Sequence, residues 1–120
     1  MTKKTLVLGA SENPSRYGFL AVEKLRAYQH PVFAIGKKTG TVKDVQIITD
    51  KPSLENIDTV TLYLNKPHQR EYYDYILSLH PKRVIFNPGT ENEELYHLVK
   101  ANGIEALEAC TLVMLSTNQY

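Results

Sequence analysis

The sequence predicts an α/β protein: Rossmann-like and doubly wound, with a mainly parallel five-stranded sheet and helices on both faces. Three observations carry that prediction. Short apolar runs alternate with longer amphipathic segments along all 120 residues. The runs are apolar at nearly every position, as expected of parallel strands covered on both sides. Hydrophobic residues make up 42% of the chain and charged residues 22%, which suits a buried core and excludes a disordered chain. No repeat, low-complexity tract or linker divides the sequence, so a single domain over residues 1–120 is expected.

Each element has its own signal. Thr5-Leu6-Val7-Leu8 is a compact strand that runs into Gly9-Ala10-Ser11. A helix follows over 18–28, where Gly18, Val22, Leu25 and Ala21, Leu25, Tyr28 recur at i, i+4, i+7. Residues 31–35 form a second strand, ended by Gly36. The stretch 37–52 is less regular. Within it Val45-Gln46-Ile47-Ile48 reads as a short edge or extended segment, and Ser53-Leu54-Glu55 as one helical turn. Residues 59–64, rich in β-branched and aromatic side chains, make the next strand. Pro67 suits the first turn of a helix whose buried stripe is Tyr72, Ile76 and Leu79, closed by Pro81.

Arg83-Val84-Ile85-Phe86 is a strand, and Thr90-Glu91-Asn92-Glu93 has the form of a capping box opening a helix that buries Leu95, Leu98 and Val99. Gly103 suits a left-handed helix end, residues 104–107 a last strand, and 112–115 a terminal helical turn. Right-handed crossovers and a reversal of strand order place a crevice at the carboxyl ends of the strands.

Several function classes are excluded. Lys and Arg total 14 against 13 Asp and Glu, and a net charge of +1 argues against nucleic-acid and membrane-surface partners. Cys110 is the only cysteine, so neither an intrachain disulfide nor a cysteine-based zinc cluster can form. The basic N-terminus is followed by an apolar run of only a few residues. A secretory signal needs ~7–15 such residues and a membrane span ~20, so the cytoplasm is the expected compartment.

The most informative stretch runs from Leu6 to Gly18, where a strand enters a glycine-containing loop and a helix leaves it. Backbone N–H groups and the helix dipole there favour a phosphate or pyrophosphate. Ser11 and Ser15 carry hydroxyls, and Arg16 offers a charge-assisted fork to phosphate oxygens. A dinucleotide fingerprint would have glycines at 9, 11 and 14; the chain has Gly9, Ser11 and Pro14. An NAD site also wants an acidic residue after the second strand, whereas Ile35-Gly36-Lys37-Lys38 stands here. Two lysines suit a ribose phosphate, as in NADP or the 3′-phosphate of coenzyme A, or else are solvated loop charges.

These residues carry a family resemblance over almost the whole chain. Val7-Leu8-Gly9-Ala10-Ser11 with Asn13-Pro14-Ser15-Arg16, the strand at 31–35, Ile57-Asp58-Thr59-Val60, and Asn87-Pro88-Gly89 with Asn92-Glu93-Glu94 resemble the small single-domain CoA-binding proteins. Those are similar to the N-terminal domain of the succinyl-CoA synthetase α subunit. The resemblance implies CoA or an acyl-CoA lying over the carboxyl ends of the strands. Gly9, Ser11, Ser15, Arg16 and Tyr17 would meet its phosphates, and Lys37 and Lys38 its adenosine end. Leu64, Asn65 and Pro67 would line the adenine and pantetheine path, with Ala10, Gly18, Gly36, Asn87 and Gly89 completing the cofactor-binding set. Two positions depart from the family: Ile35-Gly36-Lys37 stands for a Val-Asn-Pro stretch, and Asn87-Pro88-Gly89 for Gln-x-Gly.

Residues for chemistry are sparse. The synthetase type carries its phosphorylated histidine outside this domain and uses a separate nucleotide-grasp subunit, so the resemblance implies binding without a complete catalytic site. Of His30, His68, His80 and His97, only His68 is expected near the crevice. Cys110 has no evident base beside it and suits a small buried apolar residue. Glu91, Glu93 and Glu94 suit a helix start, and Tyr72, Tyr73 and Tyr75 a partly exposed aromatic helix able to serve as a dimer face. No catalytic or metal-binding residue is therefore expected. Besides the nucleotide cofactor, a partner enzyme or a homo-oligomer is the expected kind of partner. The competing readings are an NADP-linked reductase and an interaction module that has lost its ligand.

Overall fold

The computed structural model describes residues 2–120. The elements follow in the order β1 (Thr5–Leu8), α1 (Tyr17–Ala27), β2 (Val32–Ile35), β3 (Gly40–Val42), β4 (Val45–Ile48) and β5 (Thr59–Leu62). Then come α2 (Lys66–Gln69), α3 (Tyr73–Leu79), β6 (Arg83–Phe86), α4 (Glu93–Ala101), β7 (Glu105–Glu108) and α5 (Thr111–Ser116). The sheet has seven strands, not five, in the order β3-β4-β2-β1-β5-β6-β7. All neighbours pair in parallel except β3, which runs antiparallel to β4.

The two added strands form one hairpin at the edge of the sheet. Val42 pairs with Val45 across a two-residue turn, with Lys43 at φ 54°. Asn-Gly is the usual sequence for so tight a turn, and Lys43-Asp44 gives no such signal. The turn is held by an ion pair instead. Arg26 on α1 donates two hydrogen bonds to the Asp44 carboxylate, at 2.9 and 2.8 Å. That guanidinium holds the Asp44 carboxyl below its usual range.

Side chains alternate across the sheet and build a core on each face. Leu6, Leu8, Val60 and Leu62 pack with Ile76, Leu79, Leu95 and Val99 from α3 and α4. Val7 and Ala34 face the other way, toward Val22 and Leu25 of α1 and Leu115 of α5. Every residue of β1 and β5 is buried, as their runs of apolar and β-branched residues require.

Three local expectations are corrected. Residues 53–55 form no helical turn; the segment between Pro52 and Asn56 is irregular, with Asn56 in the left-handed region at φ 60°. The helix after Pro67 is not continuous: a 3₁₀ turn at Arg70–Tyr72 separates α2 from α3. Thr90 does not cap α4. Its hydroxyl donates to the Asn87 carbonyl at 2.8 Å, and Asn92 caps instead by accepting from the Leu95 amide. Among the described residues, no helix is long and apolar enough to cross a membrane.

Candidate functional site

The strand order reverses at β1: β2 and β4 lie on one side of it, β5, β6 and β7 on the other. Crossovers therefore leave β1 and β5 in opposite directions, and the loops at their carboxyl ends separate. A cleft of about 820 Å³ opens there, within the ~300–1,000 Å³ typical of small-molecule sites. It is lined by four loops, which follow β1, β2, β5 and β6.

The first loop supplies the floor. Gly9 turns at φ 98°, and a Cβ there would lie 2.6 Å from the Tyr63 carbonyl carbon, so only glycine lets the loops after β1 and β5 touch. A Cβ at Gly18 would collide with the Gly9 carbonyl oxygen, which fixes how closely α1 packs on the loop. Within the loop, Ser11 Oγ accepts from the Asn13 amide, and Asn13 Oδ1 accepts from the Ser15 amide and hydroxyl. These bonds shape the loop ahead of α1. Among the described residues, no side chain caps the N-terminus of α1 and its first turn holds no acidic residue. The positive end of the helix dipole thus reaches the cleft without a counter-charge from its own helix.

Three cations ring this end: Arg16, Lys37 and Lys38 all line the cleft and are exposed. Among the described residues none of them forms an ion pair; the pairs found lie elsewhere. Tyr17, 69% exposed, presents an aromatic ring beside them.

The opposite wall comes from the loops after β5 and β6, joined by a buried amide. Gln69, fully buried, donates through Nε2 to the Leu64 and Thr90 carbonyls, each at 2.8 Å. Its Oε1 accepts from Asn92 Nδ2 at 2.9 Å. Leu64 and Thr90 line the cleft, so this one side chain sets the distance between two of its loops. His68 also lines the cleft and makes a 2.5 Å hydrogen bond between Nδ1 and Asn65 Oδ1. Tyr63 lies at the base. Its hydroxyl is buried with no hydrogen-bond partner among the described residues, and burial raises its pKa, keeping it a neutral phenol.

The structure brings Gly9, Ala10, Ser11, Arg16, Tyr17, Gly18, Lys37, Lys38, Leu64, Asn65 and Gly89 to one cleft. Ser15, Gly36, Pro67 and Asn87 are not among its lining residues. Asn87 is buried and fully engaged: Nδ2 donates to Thr61 Oγ1 and the Leu62 carbonyl, and Oδ1 accepts from the Thr111 amide. Gly36 is buried against the first loop, where a Cβ would collide with the Ala10 carbonyl oxygen.

The lining residues missed by sequence reasoning are Glu12, Asn13, Thr39, Tyr63, Pro88 and Thr90. All but Asn13 are direct neighbours of a predicted position, and Asn13 lies two residues from both Ser11 and Ser15, so extending each loop by two residues would have found them. Cys110 precedes α5, half-buried and outside the cleft lining; His30 is buried, and His80 and His97 are exposed. Among the described residues, no cluster of His, Cys, Asp or Glu could hold a metal ion.

Comparison with known proteins bears on the fold and the family. The chain is similar over its full length to a crystallised uncharacterised protein, with 52% identity, 99% of that chain covered and a TM-score of 0.97. A hypothetical protein from Pyrococcus horikoshii OT3 shares the fold at 20% identity, with 97% of this chain and 83% of that one covered and a TM-score of 0.87. A protein from Thermus thermophilus does so at 19% identity, with 99% and 91% covered and a TM-score of 0.85. Among the curated proteins nothing matches. The family pattern described as a CoA binding domain matches residues 3–116, nearly the whole chain. The protein therefore belongs to the CoA-binding domain family.

Proposed function

We propose that this protein is a single-domain cytoplasmic binder of coenzyme A or an acyl-CoA, holding it in the cleft at the carboxyl ends of the strands without a complete catalytic site. One observation carries the reading. An α1 N-terminus without a side-chain cap and three cations unpaired among the described residues, Arg16, Lys37 and Lys38, converge on the cleft at the strand-order reversal. Such a site fits a ligand with several phosphates and an extended neutral arm. Arg16 and the first turn of α1 would hold the pyrophosphate. Lys37 and Lys38 would meet the phosphate on the ribose, and Tyr17 offers a ring against which adenine can stack. Leu64, Asn65, His68 and Gly89 would border the pantetheine arm, with the thiol directed along the wall fixed by Gln69.

Calorimetric titration with CoA, acetyl-CoA, dephospho-CoA, NADP and NAD tests the proposal. Saturable binding of CoA, stronger than that of either nicotinamide dinucleotide, is expected. No heat from CoA at millimolar concentration, or tighter binding of NADP, would overturn it.

A further inference from the structure

The two lysines sit on the only segment between β2 and the edge hairpin, residues 36–39, and that segment is pinned to the first loop at both ends. At its start, Gly36 lies against the backbone of Ala10, with no room for a Cβ. At its end, the Glu12 carboxylate crosses from the first loop and accepts a hydrogen bond from the Thr41 amide, Oε2 to N at 2.9 Å. Gly40 makes a seat for it: a Cβ on Gly40 would lie 2.7 Å from the Glu12 carboxyl carbon. Gly40 and Thr41 belong to β3, the outermost strand, so Glu12 takes an amide on the free edge of the sheet. Glu12, Arg16, Lys37, Lys38 and Thr39 all line the same cleft.

A carboxylate in a cationic rim opposes an anionic ligand, since it cancels one of three positive charges. Its hydrogen bond and its glycine seat give it a different use. We infer that Glu12 is a positioning residue: it latches the Lys37–Lys38 segment to the phosphate-binding loop and so sets the recognition of a phosphate on the ribose of the bound nucleotide. The inference rests on the proposed CoA site and adds the residue that orients its adenosine end. Without the latch the segment stays tied to the sheet at Gly36 and through the pairing of Gly40 with Ile47, but its far end is no longer tied to the phosphate-binding loop. A flexible cation must be ordered again at each binding event, and the discrimination between phosphorylated and unphosphorylated ribose falls.

The test compares CoA with dephospho-CoA by calorimetric titration, using the ratio of their affinities as the readout. Unsubstituted protein is expected to prefer CoA by about tenfold, equivalent to one well-placed charge contact. In Glu12→Ala the ratio falls to within about twofold, while dephospho-CoA binding changes little. Glu12→Gln keeps an acceptor for the Thr41 amide and removes the opposing charge, so the ratio is kept or rises. Gly40→Ala fills the seat and expels the flexible carboxylate, so it reproduces Glu12→Ala with Glu12 still present. A merely structural role for Glu12 would move both affinities together and leave the ratio unchanged, and that result would overturn the latch alone. A Gly40→Ala protein with the wild-type ratio would do the same. If the unsubstituted protein binds neither compound, the CoA reading fails and the latch with it.

Discussion

The two ends of the sheet use the same residue types in opposite ways. At the amino end, Thr5, Asp58, Thr59, Arg83 and Tyr120 form a chain of hydrogen bonds, with His30 packed against it. Arg83 donates to Thr59 Oγ1 at 2.8 Å and to the Tyr120 carbonyl at 3.1 Å, with its guanidinium 4.5 Å from the centre of the Tyr120 ring. The Tyr120 and Thr5 hydroxyls share a 2.6 Å hydrogen bond, and His30 packs edge-on against the Tyr120 ring. At the carboxyl end, Arg16, Lys37, Lys38 and Tyr17 are exposed, and among the described residues the three cations form no ion pair. Polar groups that complete each other hold a fold together. Polar groups left facing a cleft are completed by a molecule from outside.

Substitutions can break that contrast or sharpen it. The largest effect is expected at Asn87, which lies at the carboxyl end but behaves like an amino-end residue. Asn87→Ala leaves the Thr111 amide and the Leu62 carbonyl unpaired and should cost about 3 kcal/mol of stability in urea denaturation. Arg83→Ala should cost about 2 kcal/mol and leave CoA affinity unchanged, because its partners all lie at the far end of the strands. Arg16→Ala is the reverse case. It should weaken CoA by about 1.5 kcal/mol, the lower end for a charged hydrogen bond because Arg16 is exposed, with the denaturation midpoint unmoved. A loss of stability at Arg16, or of CoA affinity at Arg83, would end the division of labour between the two ends.

The smallest effect concerns pH. His30 is only 7% exposed, and its Nδ1 accepts from the Lys3 amide at 2.9 Å. Burial first, then the positive charges of Lys3 and Arg83, lower its pKa below 6.5, with Asp58 opposing. The folded protein thus takes up this proton less readily than the unfolded chain. The contribution of His30 is complete above pH 6.5 and is lost as pH falls from there toward the lowered folded value. Denaturation at a series of pH values should show this slope, and His30→Gln should flatten it.

What was legible in the sequence follows from how local each signal is. The strands at Thr5–Leu8 and Arg83–Phe86 stand at the expected residues, because an apolar run bounded by polar or turn-forming residues contains its own definition. The β3–β4 hairpin is legible only in part. Val45–Ile48 stands where a short edge or extended segment is expected, whereas β3 and its turn at Lys43-Asp44 have no local signal, Arg26, 18 residues earlier, holding Asp44. Thr90 and Asn92 both fit a cap, and the choice falls to Asn92 because Asn87 and Gln69 occupy the Thr90 hydroxyl and carbonyl. In the cleft, loop membership was readable from the strand ends, while side-chain direction was not. Asn87 and Lys37 each follow closely on a strand end, yet one is buried in a bonded network and the other is exposed.

The bond from Asn87 to Thr111 also bears on how the chain assembles. α5 has six residues, too few to persist alone, and Cys110 gives it no side-chain cap. Its leading amide is bonded instead by a residue just past β6, 24 positions earlier. The last helix can therefore form only on a sheet already in place. The exchange of the Thr111 amide with solvent then reports the opening of the whole domain, not the fraying of a terminal turn.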